Sequence, residues 1–216
     1  RLRTGTVAIW FCGRSALSRK TAAPSSGDGT EVEVSGQKQT DVVVVGTGAA
    51  GLCAALAASV GGARVLVLEK APVIGGTTAM SGGCIWAPGH HYMAAMGLVD
   101  SREAVLEHIR AVAPDGWHNP VAPLWSAFVD HPPVMLKFLE ANSPTRFTPN
   151  RDPDPYAEAP GGMAFGRNVS ARPMRLAILG PWRDKVRKQS VSIQLNYEEI
   201  VDTHFYANPK KWMPRY

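Results

Sequence analysis

Apolar positions along the chain change their spacing in a way that marks out successive elements. Val42-Val43-Val44-Val45 is an unbroken β-branched run, which favours a buried strand. Gly46, Gly48 and Gly51 interrupt it, and the Ala- and Leu-rich stretch Leu52 to Val60 then favours helix. After Gly61-Gly62, the run Arg64-Val65-Leu66-Val67-Leu68 reads as a second strand, ending in Glu69. Strand, glycine turn, helix and strand make a βαβ unit, which places the chain in the α/β class with a parallel, Rossmann-like sheet.

A mainly helical segment is expected to follow. Asp100-Ser101-Arg102-Glu103 reads as an N-cap with an acid three residues on, and Val105, Ile109 and Val112 share the face of the helix behind it. A second helix is expected from Leu124 to about Val129. A third starts at Pro132-Pro133, where proline suits the first turn, and ends near Asn142, with Val134, Leu136, Phe138 and Leu139 as its apolar face. The last 30 or so residues have no regular period. The organisation predicted is a basic, disordered leader over 1–40, a nucleotide-binding segment over 41–115 and a partial cap, or substrate, segment over 116–216.

Composition alters this picture at three places. The formal net charge of +5 matches the five basic residues of 1–27 (Arg1, Arg3, Arg14, Arg19 and Lys20), a stretch with no acid. The charge elsewhere balances, which argues against a nucleic-acid partner. The apolar run Thr6 to Cys12 after Arg1 and Arg3 imitates a signal peptide, and the acid-free Arg- and Ser-containing leader equally imitates a transit peptide; a plain leader is the third reading. Cys12, Cys53 and Cys84 are too few and too far apart for a disulfide framework or a zinc site, which points to a reducing, cytoplasmic compartment. Val42 to Gly62 carries no charge and is long enough to span a bilayer, but its glycines divide it into strand and helix, so no membrane span is expected.

The candidate chemistry lies in that βαβ unit. Gly46-Thr47-Gly48-Ala49-Ala50-Gly51 is a G-x-G-x-x-G motif directly after a strand and opening a helix. Gly46 permits the tight turn, Gly48 the approach of backbone to a pyrophosphate, and Gly51 close packing of helix on strand. The helix N-terminus offers free N–H groups and a positive dipole end to phosphates. Glu69 stands 18 residues beyond Gly51, close to the spacing at which a carboxylate accepts ribose hydroxyls. A second loop, Glu69-Lys70-Ala71-Pro72-Val73-Ile74-Gly75-Gly76-Thr77-Thr78-Ala79-Met80-Ser81-Gly82-Gly83, is rich in glycine and hydroxyls. A nicotinamide dehydrogenase needs no such loop there, whereas a longer cofactor with a ribityl chain and flavin ring does. An NAD-dependent dehydrogenase is the alternative that the first motif alone leaves open.

The run from Asp41 to about Arg110 resembles the FAD-binding segment of the fumarate reductase/succinate dehydrogenase flavoprotein superfamily. It is most similar to the branch containing the 3-ketosteroid Δ1-dehydrogenases, through the E-K-A-P-x-x-G-G-T-T-x-x-S-G-G-x-I-W-x-P pattern of Glu69 to Pro88. The resemblance implies FAD, and implies that Gly46, Gly48, Ala49, Ala50, Gly51, Glu69, Lys70, Gly76, Thr77, Thr78, Ser81, Gly82 and Gly83 touch it. Members that tether FAD use a histidine in the second loop, and residues 41–89 contain none, so non-covalent binding is implied. The implied reaction is hydride transfer between a small-molecule C–H bond, of CH–CH type, and flavin N5.

Asp152-Pro-Asp154-Pro-Tyr156-Ala-Glu158-Ala-Pro160-Gly161-Gly162 with Gly166-Arg167 resembles a further signature of the group, D-Y-x-x-E-x-P-G-G…G-R. One departure stands out: the group's catalytic tyrosine aligns with Phe128, which has no hydroxyl to move a proton. Superfamily members are more than twice this length, and their catalytic groups come mostly from a returning C-terminal segment. The chain is therefore expected to be an N-terminal part, inactive alone, with its catalytic residues unassigned. His90 and His91, an adjacent pair, suit a surface or turn role, and His108 a solvated helix position. Tyr156, Tyr197 and Tyr206 are acids in principle, with nothing to bring them near a flavin.

Overall fold

A computed structural model describes residues 7–11 and 39–188 and divides the chain into two compact units. The first comprises residues 1–79 and 181–188, the second residues 80–180 and 189–216. Residue 115, where the sequence pattern placed a boundary, lies inside the second unit, between two helices.

The first unit is built on the expected βαβ. Strand β1 is Val7–Phe11, β2 is Val42–Val45, helix α1 is Ala49–Val60 and β3 is Val65–Glu69. All three strands are parallel in the order β1-β3-β2, with Val44 opposite Val67 and Ile9 opposite Val67 on the other side. The disordered leader expected over 1–40 is thus corrected at residues 7–11: their apolar run is a strand that completes the hydrogen bonding of β3. The rest of that leader lies outside the described residues, as does Cys12. Val44, Ala55, Val65 and Val67 form the core between sheet and helix. On the opposite face Val43 and Val45 are exposed, Val45 at 82%. Asp41 pins the two strand starts together: its carboxylate accepts from the Arg64 backbone N–H at 2.8 Å and from the guanidinium Nη2 at 2.9 Å. That guanidinium holds the Asp41 pKa down at about 2.

The second unit is mainly helical, as expected, and adds a small sheet. Helices α2 (Arg102–Val112), α3 (His118–Asp130) and α4 (Pro132–Asn142) accompany an antiparallel sheet of β4 (Cys84–Trp86), β5 (Phe147–Pro149) and β6 (Asn168–Ala171), ordered β4-β6-β5. Strands of three or four residues are too short to show alternation, so the mainly helical reading missed them. Helix α3 begins six residues before the predicted Leu124. Pro120 falls in its first turn, where an N–H has no intrahelical partner, so only Pro123 forgoes a bond. The cap of α2 is Ser101, whose side chain accepts from Ala104 N–H at 3.1 Å, and Asp100 is left for another task. In α4, Leu136 is fully buried with Met135 and Leu139 beside the core, whereas Val134, assigned to the apolar face, is exposed. Among the described residues no helix is long and apolar enough to cross a membrane.

Candidate functional site

The first glycine turn is shaped by what each glycine meets. Gly46 sits at φ 95°, a conformation that L side chains rarely adopt, and its N–H donates to Leu68 O at 2.7 Å. A Cβ on Gly51 would overlap the Gly46 carbonyl and press on Val44, so this glycine is what lets α1 lie against β2. Gly48, the N-cap of α1, has ordinary extended geometry (φ −70°, ψ 175°) and room for a Cβ, whose nearest neighbour would be Thr78 Oγ1 at 3.8 Å. Fold geometry therefore explains Gly46 and Gly51 but does not demand glycine at 48.

The second loop lies directly against this turn. A Cβ on Gly76 would meet the Gly48 Cα at 3.3 Å, and Gly76 itself has φ 55°. Thr78 Oγ1 accepts the Ala49 N–H, one of the orphan donors of the α1 N-terminus, at 3.1 Å. Ala49, Ala50, Lys70, Thr77 and Thr78 are exposed. Gly46, Gly48, Ala49, Ala50, Gly51, Glu69, Lys70, Gly76, Thr77 and Thr78 are thus gathered in the first unit. Ser81, Gly82 and Gly83 belong to the second, where Ser81 Oγ accepts the Gly83 N–H at 3.3 Å.

Glu69 ends β3 with its carboxylate turned into the first glycine turn. Oε2 accepts both the backbone N–H of Thr47, at 3.0 Å, and its hydroxyl, while Oε1 accepts the Ala71 N–H at 2.9 Å. These donors, the Ala71 amide foremost and then the Thr47 hydroxyl, hold the Glu69 pKa below its ordinary 4.5, so the group is ionised. Thr47 Oγ1 also accepts the Gly75 N–H at 2.8 Å. Thr47 is 1% exposed. It occupies a variable position of the motif, so sequence pattern gave no reason to single it out; a hydroxyl between two glycines, with an acid at the next strand's end, is the only hint.

The residues present fit an adenine dinucleotide. Two backbone stretches without side chains close on a helix N-terminus, and an ionised carboxylate stands at the end of the neighbouring strand. The cradle is one that a Cβ on Gly48 or Gly76 would fill.

The second unit holds a buried ionic network built from the D-Y-x-x-E-x-P-G-G…G-R signature. Arg167 is 0% exposed; its guanidinium donates to Asp100 at 2.7 and 2.9 Å, to Asp154 at 2.7 Å and to the Gly161 carbonyl at 2.9 Å. Trp86 Nε1 donates to Asp154 at 2.7 Å, and the same indole stacks on Phe128 with ring centroids 5.8 Å apart. The structure places His90, His91, His108 and Tyr156. His90 accepts a turn hydrogen bond at its carbonyl, as expected, but its ring is buried edge-on against Tyr92 rather than on the surface. His91 lies 3.2 Å from Glu140. His108 is not solvated: it is buried, with Nε2 3.0 Å from Pro155 O, because α2 turns that face towards the 154–162 loop. Tyr156 is exposed at φ 56°, and Tyr197 and Tyr206 lie outside the described residues. Among the described residues no cluster of His, Cys, Asp or Glu could hold a metal, and Cys53 and Cys84 are free thiols.

Known proteins share this arrangement. Residues 41–205 match the family described as FAD binding domain. The 3-oxosteroid 1-dehydrogenase of Mycolicibacterium smegmatis is 34% identical over 182 residues, which covers 82% of this chain and 31% of that protein. The 4-oxocyclohex-2-ene-1-carboxylate 5-dehydrogenase of Sinomonas cyclohexanicum is 39% identical over 144 residues, 66% of this chain and 24% of that one. Among solved structures, 3-ketosteroid Δ1-dehydrogenase from Sterolibacterium denitrificans in complex with 1,4-androstadiene-3,17-dione has a TM-score of 0.70 at 30% identity, over 81% of this chain and 31% of that one. The chain spans about a third or less of the length of these relatives. The match over residues 41–205, together with the paired glycine loops at the α1 N-terminus, means that the chain belongs to the FAD-binding domain family of flavin-dependent oxidoreductases.

Proposed function

We propose that this chain supplies the FAD seat of an oxidoreductase that moves a hydride between a C–H bond of a cyclic ketone and the cofactor. The observation that carries the reading is the Ala49–Thr78 hydrogen bond with Gly76 against Gly48, which sets both glycine loops on one helix N-terminus. The α1 N–H groups would take the pyrophosphate, Glu69 the adenosine ribose, and Lys70, Gly76, Thr77 and Thr78 further parts of a non-covalently held cofactor. FAD, when bound, supplies the hydride chemistry at N5.

The relatives support that substrate class, since their names share a ring carbonyl and the removal of hydrogen from a ring. Phe128 supports the wider class of cyclic ketones over steroids in particular, since its ring stacks on Trp86 and offers no hydroxyl for proton transfer. Turnover belongs to the whole protein, and free Cys53 and Cys84 support a cytoplasmic one. A spectral titration tests the cofactor assignment. The purified chain should take up one equivalent of FAD, with a shifted flavin spectrum, and should reduce no dye on addition of a cyclic ketone. Tighter binding of NAD than of FAD would overturn the reading.

A further inference from the structure

The side chain of Thr47 joins three separate segments of the first unit: the β2–α1 turn, the end of β3 and the second glycine loop. Its hydroxyl proton goes to Glu69 Oε2 and its lone pair to the Gly75 N–H, while its own N–H also goes to Oε2. Two donors on Oε2 fix the carboxylate in rotation, while Oε1 accepts the Ala71 N–H at 2.9 Å. A buried carboxylate held this way is pre-organised, so ordering it costs nothing when a ligand arrives.

We infer that Thr47 is a positioning residue for ribose recognition: through its hydroxyl it aims the Glu69 carboxylate at the adenosine ribose and sets the spacing of the two glycine loops. This rests on the reading that Glu69 receives that ribose. Valine has the shape of threonine without the hydroxyl, so Thr47→Val frees the carboxylate to turn and leaves the Gly75 N–H without its acceptor. Thr47→Ser keeps both bonds.

The test uses ADP, the half of FAD that carries this ribose, and 2′,3′-dideoxy-ADP, titrated calorimetrically into the 216-residue chain. A hydroxyl donating to an ionised carboxylate corresponds to a preference on the order of tenfold for ADP in the wild type. Thr47→Val should reduce that preference to about twofold or less, and Thr47→Ser should retain it. Equal weakening of both ligands in Thr47→Val, with the preference intact, would show a merely structural residue and overturn the inference. Absence of any preference in the wild type would overturn it as well, but through the ribose assignment of Glu69 and not through Thr47. Amide exchange separates these without any variant. The Gly75 N–H should be protected in the ligand-free wild type, and exchange at the rate of an open loop would refute the Thr47 link.

Discussion

Two glycines three positions apart serve different ends, and the contacts around them show which is which. A methyl group at 51 would overlap the Gly46 carbonyl, so Gly51→Ala should force α1 off β2 and destabilise the chain by about 1–3 kcal/mol, read as a lower urea midpoint. Glu69 is a second residue with a stated cost. Its pKa is lowered on folding, so it contributes stability above its ordinary 4.5 and loses that contribution as the pH falls through the lower folded value. Thermal midpoints of the wild type should therefore approach those of Glu69→Gln as the pH drops below 4.5, with the wild type ahead at neutral pH; a constant gap across that range would contradict the hydrogen bonds drawn here. Gly46 and Gly51 were legible in the sequence because the turn and the packing of helix on strand dictate their spacing. Thr47 was not, since its role depends on where Glu69 and Gly75 arrive in space. His108 was misread for a related reason: one helix face was assigned to solvent without knowledge of the 154–162 loop that covers it.

At the scale of elements, the βαβ unit was readable almost residue for residue. A β-branched run and an Ala-rich run have opposite propensities, and glycine separates them. The antiparallel sheet was not readable, because β4 is held by partners up to 86 residues away (Cys84 with Ser170) and not by local pattern. Arg167 is the element-scale counterpart of Thr47. It ties β6 to Asp100 ahead of α2 and to Asp154 in the loop between β5 and β6, and Trp86 on β4 shares Asp154. Arg167→Met would fill the volume but strand two buried carboxylates, at a cost of about 3–5 kcal/mol. Chemical unfolding followed by tryptophan fluorescence would measure it, and a loss under about 1 kcal/mol would contradict the burial of that network.

Over the whole chain, the parallel sheet has one face packed on α1 and another that exposes Val43 and Val45, with β2 at the edge of the described sheet. The central claim, that two glycine loops make a single seat for FAD, is tested most directly by Gly48→Ala. Position 48 has extended backbone and room for a methyl group in the protein itself, so the fold should accept the change with its thermal midpoint essentially unaltered. Only a ligand needing close backbone approach would be affected. FAD titrated into both chains, followed by flavin fluorescence, should show at least about a tenfold weaker dissociation constant for Gly48→Ala. Equal FAD affinity in the two chains would contradict the account.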